Sequence, residues 1–234
     1  DATAITIDSS EQVGIGTSSP DSSLEIYKAS TAELMIGSDN GGTAQISLYE
    51  SNSTTKEATI KYDGLANNLV IGTSGQANAI VIPRDTGYVT MPNQPAFEAR
   101  TSNALGDFSI NTANTIQFNT ERYDVNGDFN TSTYTFTAPV TGKYVLNTFI
   151  RLQEVDKDAV YYHLYFQTSN RTYFDIIDTR GFDTDLAYMN MRCSVLADMD
   201  ASDTAYVQIY QAGGAAQTDV AANDDVYFSG FLAC

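Results

Sequence analysis

Along residues 1 to 92 the aliphatic positions come in pairs two apart: Ile5 and Ile7, Val13 and Ile15, Leu24 and Ile26, Leu34 and Ile36, Ile46 and Leu48, Ile60 and Tyr62, Leu69 and Ile71, Ile80 and Ile82. A spacing of i, i+2 puts both side chains on one face of an extended strand, so each pair predicts one short strand. Turn signals separate the pairs: SSP, DNGG, DGLANN, TSGQAN and PRDTG. A strand burying only two aliphatic side chains cannot support a core by itself. Stacked on its neighbours, or wound with other copies of the chain, it can. The pattern therefore predicts a β-structured, oligomeric stalk over residues 1–92.

From about Pro95 the strands lengthen and become aromatic. TYTFTA would place Tyr134 and Phe136 on one face. GKYVLNTFIRLQ would place Tyr144, Leu146, Thr148 and Ile150 on one side, with Val145, Phe149 and Arg151 out of that register. VYYHLYFQT, TYFDII, LAYMNMRCSVL, TAYVQIYQ and VYFSGFLAC continue the series, with turns at VNGD, PVTG, VDKD, RGFDTD, DMDASD and AGGAAQ. This many strands at such spacing predicts a two-sheet sandwich or jelly roll over residues 93–234, large enough to bury its own core. Pro92 and Pro95 mark the joint between the two parts. The expected architecture is all-β: a short-strand intertwined stalk followed by a jelly-roll knob, as a homotrimer. Tyr side chains at alternating positions and a stalk that cannot fold alone both call for partners of the same kind.

Composition narrows the functions. A net charge of −17, with 12 Lys and Arg spread thinly, argues against nucleic acid, whose phosphates need clustered cations. It argues equally against anionic membrane surfaces. No run approaches the roughly 18 apolar residues of a membrane-spanning helix, so a soluble chain is expected. The sequence starts at Asp1 without Met or an apolar signal segment, as a processed product or the end of a longer protein would. A domain of this size needs no disulfide framework, and Cys193 and Cys234 are both expected to be free.

The stretch VGIGTSSP at residues 13–20 tests whether chemistry should be sought at all. Gly14 and Gly16 match only the opening of a phosphate-cradling GxGxxG loop. Pro20 falls where the following helix would have to run, and no Lys follows to meet phosphate. A structural role fits better. VGIGTSSPDSSLEI resembles a segment that recurs in bacteriophage tail-fibre and tailspike proteins, in intertwined β-structured shafts, and also in bacterial surface proteins. In the second part PAFEAR, IQFNTERYDVNGDFNTSTYTFTAPVTGKYVL and VYFSGFL resemble the complement C1q-like domain, one of the tumour-necrosis-factor-like trimeric jelly rolls. Pro139 and Gly142 would set the corner between two strands, and Gly230 would let a neighbour approach closely in the last strand. The collagen-like Gly-x-y stalk of animal relatives is absent, which favours a viral or microbial source over an immune role.

Together the resemblances imply a non-catalytic phage tail-fibre fragment on the virion, extracellular on host contact. Its partners would be two further copies, other virion tail proteins and a host cell-surface receptor, with polysaccharide the expected ligand class; neither nucleic acid nor membrane insertion is expected. The alternatives are a purely structural or trimerisation domain, and a bacterial surface adhesin. The lone histidine, His163, supplies neither a multi-histidine metal site nor a triad with a recognisable nucleophile, and reads as a structural histidine among aromatics. Glycoside-cleaving carboxylate pairs are usual on long parallel β-helices, for which 92 residues are too few.

Two loop groups stand out as candidate sites. Asp124, Asn126 and Asp128 in DVNGD mimic the opening of a calcium loop, but Thr135 stands where the bidentate Glu should be, so an Asn-Gly turn with solubilising acids is the competing reading. Asp156 and Asp158 are further loop carboxylates. No cofactor is required; calcium is the one ion these acids suggest. The segment RTYFDIIDTRGFDTDLAY combines aromatics with polar groups, so Tyr173, Asp178, Arg180, Phe182, Asp183 and Asp185 are the receptor candidates. Sugar rings would stack on the aromatics while Asp and Arg bond hydroxyls; the competing role for Tyr173 and Phe182 is in the core or between subunits.

Overall fold

The computed structural model describes residues 5–50, 57–222 and 224–233, and every regular element among them is a β-strand. The chain divides between Thr90 and Met91 into two compact units.

The N-terminal unit holds two small sheets. β1 (Ile5–Ile7) pairs antiparallel with β2 (Val13–Ile15), which pairs parallel with β3 (Leu24–Ile26). β4 (Thr43–Leu48), β5 (Ala58–Asp63), β6 (Asn68–Thr73) and β7 (Ile80–Pro83) form an antiparallel meander in sequence order. Seven of the eight pairs lie in these strands; Leu34 and Ile36 lie in none, pair with no strand among the described residues, and are exposed. The VGIG stretch is scaffold. Gly14 is a buried position of β2 where a Cβ would stand 2.6 Å from the Thr17 carbonyl oxygen, and Gly16 takes φ +82° against the Tyr27 carbonyl. The glycines thus admit close backbone, with no helix to follow.

The C-terminal unit is a sandwich of two antiparallel six-stranded sheets. Its strands in order are β8 (Ala96–Arg100), β9 (Asn114–Thr115), β10 (Thr120–Asp124), β11 (Phe129–Asn130), β12 (Thr135–Thr137), β13 (Gly142–Val155), β14 (Tyr161–Thr168), β15 (Thr172–Asp178), β16 (Leu186–Met199), β17 (Thr204–Ala212), β18 (Asp219–Val220) and β19 (Tyr227–Leu232). The first sheet runs β10-β8-β19-β13-β16, with β18 also on β13; the second runs β11-β12-β17-β14-β15, with β9 also on β17. Alternation does the sorting. Tyr144, Leu146 and Ile150 of β13 are fully buried, as are Tyr162, Leu164 and Phe166 of β14, while their sequence neighbours face outward.

Phe228 sits at the centre of the core. Its ring lies 4.9 Å from Phe97, 5.4 Å from Phe166 and 5.8 Å from both Phe118 and Phe129. Tyr134 departs from the expected strand: it sits in the turn before β12 at φ +60°, and only Phe136 goes inward. The corner at Pro139 and Gly142 carries the chain from β12 in one sheet to β13 in the other.

Gly230 makes the close approach its sequence context implies. A Cβ there would lie 2.7 Å from Leu146 Cδ2, 2.8 Å from Phe97 Cε1 and 3.2 Å from the Val145 carbonyl oxygen. Both side chains are fully buried and cannot swing away. Gly230→Ala is therefore expected to cost about 1–3 kcal/mol by overpacking, read as a lower midpoint in urea unfolding. An unchanged midpoint would mean that the core gives way there freely.

Candidate recognition surface

Because the sandwich buries its inner faces, its outer faces and loops must carry recognition. On the first sheet strand register assembles three rows from residues distant in sequence. Leu196, Val145, Phe231 and Ala96 form an apolar row across β16, β13, β19 and β8. Ser194, Asn147, Ser229 and Glu98 form a polar row, in which Ser194 Oγ donates to Asn147 Oδ1 at 2.6 Å. Arg192, Phe149, Tyr227 and Arg100 form the third, with the Arg192 guanidinium 4.9 Å from the Phe149 ring and Phe149 stacked on Tyr227.

Around this last row lies an open depression of about 610 Å³ reached by Glu98, Arg122, Asp224 and Asp225. Its charges are largely matched: Arg122 pairs with Glu98 at 2.6 Å, Arg100 with Asp224 at 3.0 Å and Arg151 with Asp225 at 3.0 Å. Such exposed pairs fix side-chain positions more than they stabilise the fold. Leu196, 61% exposed, and the exposed Phe231 leave the apolar row open.

The second sheet presents a different outer face. Tyr161, His163 and Tyr165 of β14 point out beside Tyr210 of β17 and Phe174 of β15. Ring centroids lie 4.6 Å apart for Tyr161 and His163, 5.1 Å for His163 and Phe174, and 6.2 Å for Tyr161 and Tyr210. His163 Nδ1 and the Tyr165 hydroxyl share a 2.5 Å hydrogen bond. Burial holds the His163 pKa below its usual value, which keeps the imidazole neutral near pH 7. Next along the face, Thr172 Oγ1 donates to Gln167 Oε1 at 2.6 Å, Gln167 Nε2 to Gln208 Oε1 at 3.3 Å, and Gln208 Nε2 to Thr115 Oγ1 at 3.3 Å. The result is a strip of uncharged aromatic rings and amides, bordered by Asp178 opposite Tyr161, in a chain of net charge −17.

The receptor candidates read from sequence are spread over β15 and the turn after it. Tyr173 packs toward the core, and the Arg171 guanidinium lies 5.9 Å from its ring. Its outward neighbour is Phe174, which is 58% exposed. Asp178 ends β15 and takes Nε of Arg180 at 3.0 and 3.1 Å; that bond, with the Arg180 backbone N–H, lowers its pKa to about 2. Phe182 is half-buried in the turn, Asp183 is exposed, and Asp185 accepts the Lys157 backbone N–H at 3.0 Å. The fold thus joins Asp178 to Arg180 and turns Tyr173 inward. The alternation of VYYHLYFQT separates Tyr161, His163 and Tyr165 from the core register in the sequence itself, whereas Phe174 and Tyr210 join them only through strand pairing.

Among the acids suggested for calcium, Asp124 accepts the backbone N–H of Asp128 at 3.1 Å and of Phe129 at 2.8 Å. Asn126 Nδ2 donates to the Asn93 carbonyl at 3.2 Å, and Gly127 takes φ +75°, as an Asn-Gly turn requires. Asp128 Oδ2 is buried without a partner, and burial, then the neighbouring Asp124, raises its pKa. Among the described residues no three His, Cys, Asp or Glu side chains gather as a metal-holding group.

Asp156 differs from the other loop acids. It is 3% exposed, and its carboxylate accepts the N–H groups of Ala215 at 2.6 Å, Ala216 at 2.8 Å and Asp158 at 2.8 Å. It ties the β13–β14 loop to the loop after β17. Cys193 carries a free, half-buried thiol whose pKa is raised by burial and then by Asp175; Cys234 lies outside the described residues. No helix of the described residues is long and apolar enough to cross a membrane.

This is a two-sheet β-sandwich of the jelly-roll class with open outer faces. The family model of the C1q domain matches residues 96–233, and the chain belongs to that family. Domains of this kind usually self-associate as homotrimers, bind ligands or serve structural roles, and are typically not enzymes. Similar solved structures include the globular domain of zebrafish complement 1qA protein (18% identity, 60% of this chain and 98% of that one, TM-score 0.42). Murine APRIL is another, at 12% identity over 59% of this chain and 98% of its own, with a TM-score of 0.43. No curated protein matches the sequence.

Proposed function

We propose that the chain is the distal part of a bacteriophage tail fibre or related virion fibre, acting as a homotrimeric, non-catalytic adhesin for cell-surface polysaccharide. The observation that carries the reading is the uncharged strip of Tyr161, His163, Tyr165, Phe174 and Tyr210 on the second sheet. Aromatic rings offer apolar contact to a sugar while tyrosine hydroxyls and glutamine amides meet its hydroxyl groups. Family membership supports self-association, and the apolar row of Leu196, Val145, Phe231 and Ala96 is the face of the first sheet suited to it. Three copies then present the strip three times, so a weak contact gains avidity on a repeating polymer. The viral setting rests on the VGIG segment. Other virion tail proteins would hold the fibre, and the mechanism needs no cofactor, because no bond is made or broken.

Adsorption competition tests the reading. Purified protein in excess is expected to block adsorption of the parent virions to their host. A Tyr161→Ala/Phe174→Ala double variant should need about tenfold more protein for the same block. Unchanged adsorption, with labelled protein also failing to bind the cells, would leave the domain a structural or trimerising part of the fibre.

A further inference from the structure

We propose that the aliphatic face of the β4–β7 sheet is an interface between copies of this chain, packed against the same face of its partners. The proposal rests on the self-association assigned above to the C-terminal unit, which brings the copies together. Register defines the face. Ile46, Ile60, Ile71 and Ile80 stand in one row across the four strands, and Ala44, Tyr62, Leu69 and Ile82 stand in the next. Leu48 and Ala58 extend it on β4 and β5.

Every position on this face is uncharged, in a chain of which 18% is charged. Polar groups go to the other side, where Gln45, Ser47, Thr59 and Lys61 alternate with it along β4 and β5. Yet the aliphatic side is the open one. Ile60 is 43% exposed and Ile71 38%, Ile46, Leu48 and Leu69 are also exposed, and Val70 on the polar side is buried. Leu34 and Ile36 join Ala44, Ile46, Ile60, Tyr62 and Leu69 around a groove of about 350 Å³, which Gln45 and Lys61 also line. A monomer rarely leaves such a contiguous apolar surface in water.

The inner strands β5 and β6 are hydrogen-bonded on both sides by their own chain, β4 and β7 are the edges, and the face across all four strands is what calls for a cover. Two arguments select a second copy as that cover. Chains each carrying −17 repel one another over most of their surface, and this face lets them meet without opposing like charges. Self-association of the C-terminal units also tethers the sheets at high effective concentration, so even weak face-to-face packing is completed. Three-fold symmetry then gathers the isoleucine rows of the copies around a common axis.

Cysteine accessibility in the full chain tests this. Ile60→Cys and Ile71→Cys are compared with Leu65→Cys, a turn position that is 83% exposed, by reaction of the native protein with a bulky maleimide read per peptide by mass spectrometry. Labelling at positions 60 and 71 is expected to be about tenfold slower or more than at 65. A short bismaleimide is expected to join two chains through position 60 on a denaturing gel. Fast labelling at 60 and 71 in a particle whose light-scattering mass is that of several chains overturns this inference alone. Protection without a chain-to-chain product overturns it as well, because the cover then belongs to the same chain. A single-chain mass overturns both this inference and the self-association beneath it.

Discussion

Truncating Phe228 to alanine is expected to destabilise the C-terminal unit by about 4 kcal/mol, more than any other single core truncation in the unit. The ring is fully buried and meets Phe97, Phe118, Phe129 and Phe166, so its removal strips one partner from four other rings at once. Phe97 lies in the first sheet, Phe129 and Phe166 in the second, and Phe118 in the segment between β9 and β10, so no single loop can collapse into the void. The edge-on contact with Phe97, at 89° between planes, adds an aromatic contribution beyond the buried area. Urea unfolding read by near-ultraviolet circular dichroism measures the effect. A loss below about 1 kcal/mol would show that the core refills the space.

The second large effect belongs to a polar residue. Asp156→Ala is expected to cost about 3 kcal/mol, because it leaves the N–H groups of Asp158, Ala215 and Ala216 without their acceptor in a buried place. Burial alone would raise the Asp156 pKa, but the hydrogen bonds from Ala216, Asp158 and Ala215 outweigh it, and the net direction is down. A lowered folded-state pKa fixes the sign. The contribution is fully present above the unfolded carboxylate value of about 3.9 and is lost as pH falls through the lower folded value. The gap between wild type and Asp156→Ala should therefore be constant from pH 7 to about 5 and shrink in acid below about pH 4. A gap that persists undiminished at pH 2 would assign the loss to packing instead of the carboxylate. Asp156→Asn, which retains one acceptor oxygen, should fall between the two.

These residues show which parts of the structure could be read from sequence. Alternation found the strands because a sheet with one buried face imposes a period of two on whatever sequence forms it. It therefore sorted Tyr144, Leu146 and Ile150 from Val145 correctly, while Phe149, on the outer row as expected, is nonetheless buried there beside Arg192 and Tyr227. It failed at Tyr134, where the turn before β12 demands a left-handed residue, and at Leu34 and Ile36, whose pattern is strand-like but which pair with no strand among the described residues. Periodicity reports which way a side chain points and says nothing of what lies beside it. Leu196, Val145, Phe231 and Ala96 form one row only through the register of four strands. Asp156 was hidden for another reason: its partners at Ala215 and Ala216 are backbone groups, which carry no side-chain signature. In the receptor segment the Asp178–Arg180 pair is local and follows from a spacing of two residues. The aromatic strip draws on three strands and emerges only once they are paired.

The position of β19 has a consequence for synthesis. This strand lies between β8, the first of the C-terminal unit, and β13. Gln94 Nε2 donates to the Leu232 carbonyl at 3.0 Å, and the Leu232 N–H donates to the Pro95 carbonyl at 3.0 Å, so the unit is fastened where its beginning and end meet. While a ribosome is still making the unit, β8 and β13 are left with an open slot between them, and Phe97 lacks the ring that closes over it. The sheet is completed only when residues 227–232 emerge and insert at its middle. A nascent chain of this protein thus cannot settle its sandwich strand by strand. It depends on β19, the final strand of the unit, to complete the first sheet, so that sheet closes only after synthesis has passed that point.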